Sequence, residues 1–194
     1  LPMTRDTIFR IASMTKPVTV AAAMALVEDG RLALSDPITR WVPEMARMRV
    51  LVDPTGPLDD TVPADRAITV EDLMTHRSGL AYAFSVTGPI SRAYARVSLR
   101  QDQDDWLAEV AALPLLHQPG DRLTYSQSTE VLGILVSRVE DRPLHTVLQE
   151  RILGPLGMTD TGFWVSPDQR NRTATMYRLD PDAGLRDDAM GPIP

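Results

Sequence analysis

Phe9-Arg10-Ile11-Ala12-Ser13-Met14-Thr15-Lys16-Pro17 places a serine at the mouth of an apolar segment and a lysine three residues later. Of the 20 lysine and arginine residues in the chain, only Lys16 is a lysine. Arginine is always protonated, whereas a lysine can be driven to its neutral form by its surroundings. A chain built on arginine that keeps one lysine beside a serine suggests a nucleophile and its base. Residues three apart share a helix face, so the amine can reach the hydroxyl. A serine at a helix N-terminus also sits at the positive end of the dipole, which favours a developing alkoxide. Its own backbone N–H is then available as an oxyanion donor.

Working outward, Thr7 to Ile11 reads as the end of a strand. A helix follows from about Ser13 to Asp29, with Pro17 in its first turn and Gly30 as its stop. Its residues are apolar on nearly every face, so it is expected to be buried. Arg31 to Met45 reads as a turn and a short helix opened by Asp36-Pro37, and Arg49 to Val52 as a short strand. Asp53 to Asp65 is a loop rich in Pro, Gly and Asp. Thr69-Val70-Glu71-Asp72 resembles a capping box, with Gly79 ending that short helix. Pro89–Val97 and Asp104–Leu113 are expected surface helices. The acids Asp102, Asp104 and Asp105 suit a solvated helix N-terminus better than a cation site. Helices follow over about Ser128–Glu140 and Pro143–Leu153, with Gly154 and Gly157 in a tight connection and a strand over Ala174–Leu179.

Composition narrows the function classes. A net charge of −6 and a pI of about 5.0 argue against a nucleic-acid partner. The absence of cysteine removes disulfides and thiolate metal sites and fits a reducing, cytoplasmic setting. No apolar run approaches the roughly 18 residues of a membrane span. The histidines His76, His117 and His145 are scattered, so no metal and no cofactor is expected, and His76 reads as a structural hydrogen-bonding residue. Asn171-Arg172-Thr173 matches a common glycosylation triplet. There is no Gly-x-Ser-x-Gly elbow, His-Glu-x-x-His, P-loop or Gly-x-Gly-x-x-Gly.

Ser-x-x-Lys by itself is a weak pattern: with ten serines, one falls three places before the single lysine about one time in twenty. A free lysine is neutral in only roughly one molecule in 2,500 at pH 7, so a second proton-handling group is wanted. Tyr125, on a loop just before a helix, is the best placed of the four tyrosines. Spacing alone leaves it open between that role and a packed ring with a bonded hydroxyl.

Four ordered segments carry a family resemblance. The serine stretch 9–17 resembles the active-serine segment of the class C β-lactamase-like superfamily, which includes family VIII carboxylesterases, class C β-lactamases and D-Ala-D-Ala peptidases. Leu73-Met74-Thr75-His76-Arg77-Ser78-Gly79-Leu80 resembles its Leu-Leu-Thr-His-Thr-Ser-Gly-Leu segment. Tyr125 to Gly133 resembles its tyrosine motif, and Gly154 to Phe163 another recurrent stretch. The resemblance implies an α/β, β-lactamase-like fold, here mostly helical with few sheet strands. It implies that Ser13 is acylated, that Lys16 assists deprotonation, and that Tyr125 is the second base and activates the deacylating water.

Gln127 stands where class C lactamases usually have an asparagine that touches the lysine and the substrate amide. Esterases of the family vary at this position, so the resemblance implies ester hydrolysis over lactam hydrolysis. Tyr82 and Phe84 are expected to line the acyl pocket. The expected substrate is a small ester or amide. The family's third motif, of the type Lys-Thr-Gly, His-x-Gly or Trp-Gly-Gly, does not occur. The chain is therefore expected to form one incomplete domain over 1–194, whose C-terminal sheet segment lies elsewhere in the same protein. Within it, 1–30 holds a strand end and the serine helix, 31–173 is helix-rich, and 174–194 begins a returning sheet. The alternatives are β-lactamase or peptidase activity, or an inactive module used in binding or assembly.

Overall fold

The computed structural model describes residues 3–98 and 102–187. A 3₁₀ turn at Ala12–Met14 leads directly into helix α1 (Thr15–Glu28). Two further 3₁₀ turns, Ile38–Arg40 and Pro43–Met45, stand where one short helix was expected. Strands β1 (Arg49–Leu51) and β2 (Thr61–Pro63) pair antiparallel, Val50 opposite Val62. Helix α2 (Val70–Met74), a 3₁₀ turn at Ala83–Ser85, α3 (Gly88–Tyr94) and α4 (Gln103–Ala111) follow. Then come α5 (Ser128–Glu140) and α6 (Leu144–Leu148), the latter running on as a π turn over Gln149–Leu153. A 3₁₀ turn at Pro167–Arg172 precedes a second antiparallel hairpin of β3 (Tyr177–Asp180) and β4 (Gly184–Asp187).

Helix α5 organises the core. It packs against α1, α2 and α6, and Val131, Leu132, Leu135 and Val136 are wholly buried. Gly133 lets the helices approach closely: a Cβ there would lie 2.9 Å from Leu144 Cδ2 and 3.9 Å from Thr19 Cγ2. From α1 come Thr19, Ala22, Ala23 and Leu26. Local chemistry sets the helix ends. Gly30, at φ +71°, turns the chain so that the N–H groups of Arg31 and Leu32 both donate to Leu26 O. At α2 the capping box forms as expected. Asp72 N donates to Thr69 Oγ1 at 3.2 Å and Thr69 N to Asp72 Oδ2 at 2.9 Å. Asp102 caps α4 by accepting from Asp104 N, so the acidic run there is a helix start.

Several expectations are corrected. Thr7–Ile11 is no strand; it forms a single parallel bridge, Ile8 with Thr173. The loop 53–65 contains β2, because three residues suffice for a hairpin partner even in a run rich in Pro and Asp. The residue that takes the left-handed conformation just after α2 is His76 (φ +56°), while Gly79 (φ +88°) serves a later turn. Ser13 lies in the 3₁₀ turn ahead of α1 rather than in its first α-helical turn.

Helix α1 is not buried all round. Pro17, Ala21, Met24 and Glu28, spaced along one face, are exposed. The hairpin β3–β4 is exposed almost throughout. The tail after Asp187, the end of the expected returning sheet, lies outside the described residues. Among the described residues no helix is long and apolar enough to cross a membrane.

Candidate active site

Ser13 enters the site on a strained turn. Ala12 has φ +43°, a left-handed conformation that a residue with a Cβ adopts at a cost of about 1–2 kcal/mol. That turn sets Ser13 at the N-terminal end of α1, on the surface. Tyr125 arrives on the loop just before α5, and its hydroxyl donates to Ser13 Oγ at 2.7 Å. The two residues are 112 positions apart in sequence, so this contact depends on α1 and α5 being packed together.

A clamp from the turn after α2 holds the Tyr125 loop. The His76 carbonyl accepts from Thr124 N at 2.8 Å. His76 Nδ1 accepts from Ser126 N at 3.3 Å and lies 3.3 Å from Ser126 Oγ. Its ring lies against the Tyr125 ring, 4.9 Å between centroids. Behind it, Ser126 Oγ meets Ser128 Oγ at 2.8 Å and Ser128 Oγ meets Ser78 Oγ at 2.7 Å, all three serines being fully buried. Connected buried hydroxyls of this kind are rigid because each lost bond strands a polar group. Burial, then the Lys16 charge, lower His76 from the usual imidazole value, so it is neutral at pH 7 and keeps its acceptor for Ser126 N.

Lys16, half-buried in the first turn of α1, donates to the Tyr82 hydroxyl at 2.9 Å. Its nitrogen lies 5.2 Å from the ring centroids of both Tyr82 and Tyr125. Tyr82 in turn donates to Oε1 of Glu130, which also lies 3.7 Å from the lysine nitrogen. Burial, followed by the Glu130 hydrogen bond, pushes the Tyr82 hydroxyl well above the usual phenol range, so it stays protonated. Phe84, 77% exposed, stacks on Tyr82 at 4.9 Å and 14°.

The structure thus brings Ser13, Lys16, Tyr82 and Tyr125 together and lays Phe84 against them. Gln127 is placed differently: it is buried, 4% exposed, and its amide oxygen finds no hydrogen-bond partner. Tyr82, expected as pocket lining, also binds the lysine. Glu130 is the residue that sequence reasoning passed over. A carboxylate in the first turn of a helix reads as dipole compensation, and only its position inside the tyrosine segment could have singled it out.

An open groove of about 500 Å³ runs along the other flank of the serine turn. Phe9, Ile11, Thr15, Phe163 and Trp164 line it, whereas Ser13, Lys16 and Tyr125 do not. The bridge from Ile8 to Thr173 and the paired bonds from Arg172 to Asp160, both 2.8 Å, hold its two walls together. Among the described residues no cluster of His, Asp or Glu could hold a metal ion.

A serine hydroxyl on a helix N-terminus, a phenol bonded to it and a lysine one turn along can support acyl transfer through a covalent serine ester. The Beta-lactamase family model matches residues 1–193. Protein Rv1367c of Mycobacterium tuberculosis is 66% identical over 192 residues, covering 99% of this chain and 48% of that protein. Esterase EstB of Burkholderia gladioli is 36% identical over 201 residues, covering 100% of this chain and 48% of the esterase. The unliganded structure of Simvastatin Synthase (LovD) from Aspergillus terreus, as its selenomethionyl derivative, superposes with a TM-score of 0.79 at 31% identity. The match covers 97% of this chain and 48% of that one. The chain spans about half the length of these relatives. It belongs to the Beta-lactamase family, serine hydrolases of β-lactamase-like fold with esterase and acyltransferase homologues.

Proposed function

We propose that this chain supplies the nucleophile and proton-handling groups of a serine hydrolase acting on small carboxylic esters. Ser13 Oγ attacks the ester carbonyl and the alcohol leaves. Water then releases the acyl group from Ser13. Tyr125 and Lys16 are the proton-handling groups, and Tyr82 and Phe84 form an aromatic wall beside the acyl chain. The observation that carries the reading is the 2.7 Å contact between Tyr125 and Ser13 Oγ at the end of α1. A catalytic base needs this kind of reach, about 2.6–3.2 Å, to the proton it moves.

The test is covalent labelling. A fluorophosphonate probe is expected to modify Ser13, with the adduct located by peptide mass spectrometry. Ser13→Ala should abolish labelling, and Tyr125→Phe should slow it by about 100- to 10,000-fold. An unlabelled Ser13 in a folded chain overturns the reading.

A second reading has its own support. LovD, similar in structure over nearly the whole chain, is named a synthase rather than a hydrolase. An acyl-Ser13 ester attacked by an alcohol instead of water would transfer the acyl group. Adding an alcohol acceptor and measuring transester against free acid separates the two outcomes.

A further inference from the structure

Lys16 is bound in a way that its role as a simple base does not require. Tyr82 has one hydroxyl proton and gives it to Glu130 Oε1, so its oxygen meets Lys16 as an acceptor. The carboxylate oxygen that receives this proton also lies 3.7 Å from the lysine nitrogen. The other oxygen, Glu130 Oε2, is buried without a hydrogen-bond partner. A carboxylate used only as a structural tie normally has both oxygens bonded, since a buried unpaired oxygen costs free energy. Here one face of the carboxylate is left unmet while the other is shared between Tyr82 and the only lysine of the chain.

The charged and titratable groups around Lys16 come from four other segments. Glu130 comes from α5, Tyr82 from the loop before the 3₁₀ turn at Ala83–Ser85, Tyr125 from the loop before α5, and His76 from the turn after α2. His76 is neutral at pH 7 and Tyr82 stays a phenol, so Glu130 is the one carboxylate of the group. An anion at this distance favours the protonated form of the amine.

We propose that Glu130, acting through Tyr82, is the positioning residue for Lys16: it anchors the lysine beside Tyr125. The proposal rests on Ser13, Lys16 and Tyr125 forming the acyl-transfer site, but its test does not. Because the chain has one lysine, protein grown with ¹³C-labelled lysine gives a single side-chain Cε signal, whose shift reports the proton on Lys16 directly.

The signal is titrated in the parent chain, in Glu130→Gln and in Tyr82→Phe. Glu130→Gln keeps an acceptor for the Tyr82 hydroxyl but removes the charge. Its lysine is expected to lose the proton at least one pH unit lower than the parent, a tenfold weaker hold. Tyr82→Phe keeps the ring packing and breaks the bridge. It should shift the midpoint in the same direction by less, and it serves where Glu130→Gln does not fold. Glu150→Gln, at a carboxylate that pairs with Arg142, is the control and should leave the signal where it is. Midpoints within 0.3 pH unit of the parent in the folded variants overturn the proposal. Fluorophosphonate labelling is run on the same samples. A lysine shift without labelling of the parent keeps Glu130 in its role and removes the hydrolase reading. Labelling without a lysine shift does the reverse.

Discussion

The two flanks of Ser13 are built on different principles. On one flank Tyr125 is hydrogen-bonded to Ser13, Tyr82 links Lys16 to Glu130, and the buried serines Ser78, Ser126 and Ser128 stand behind the Tyr125 loop. On the other flank Phe9, Phe163 and Trp164 are each 45% to 55% exposed around an open groove. Helix α1 carries both characters. Thr19, Ala22, Ala23 and Leu26 are buried, while Pro17, Ala21 and Met24 face outward. The difference teaches where the site's rigidity comes from. The polar flank is over-determined by its network and by α5, so the Ser13–Tyr125 distance is a property of packing. The apolar flank contributes surface but little fixation.

The contrast is broken most severely by loosening α5. Leu132 is fully buried in the helix that supports Tyr125 and Glu130. Leu132→Ala should cost about 2–5 kcal/mol of stability, from lost transfer energy and the cavity left behind. Urea unfolding checks this. A loss below about 1 kcal/mol would mean that α5 is not the support of the polar flank.

A smaller effect comes from the ionic tie beneath α2. Burial pushes the Asp72 carboxyl upward, but hydrogen bonds from Arg66 and Thr69 outweigh it and hold the group below the usual carboxylate range. The folded state therefore binds the proton less readily than the unfolded chain. The tie stabilises above the unfolded value, about pH 3.9, and that contribution is lost as pH falls through the lower folded value. Urea midpoints measured between pH 2.5 and 6 should fall on the acid side. Asp72→Asn should lower stability near neutrality and flatten the acid fall. A variant with the parent's pH slope would show that Asp72 is not part of this support.

Much of the polar flank was legible in the chain. Helix α5 spans Ser128–Glu140 as its apolar spacing predicts, and the Thr69 box starts α2 as its residues require. Ser13, Lys16 and Tyr125 could be singled out because their spacing and segments are local patterns, and the structure brings the three together. What stayed hidden depends on tertiary contact. The apolar residues of α1 lie all around the helix, so periodicity could not say which face α5 and α6 would cover. Strand β2 is three residues inside a turn-rich run and exists because β1 lies beside it. The left-handed Ala12 has no residue signature, since glycine would be the usual choice there. Glu130 looked like an ordinary helix start, and its pairing with Tyr82 spans 48 residues.

The mildest change tests the apolar flank itself. Met24 is 43% exposed on the outward face of α1, opposite in character to Leu26 two residues on, which is wholly buried. A side chain that keeps nearly half its surface in water loses little when its apolar tip becomes an amide, so Met24→Gln should shift stability by no more than about 0.5 kcal/mol. It should also leave fluorophosphonate labelling of Ser13 unchanged, because Lys16 and Tyr125 are fixed from the other face of the helix. The measurement is a urea midpoint at two protein concentrations tenfold apart. Association of the apolar faces of two copies would stabilise the parent at the higher concentration, and Met24→Gln would remove that gain. A concentration-dependent loss would therefore turn the outward face of α1 from passive surface into an interface, and the contrast between the two flanks would no longer hold.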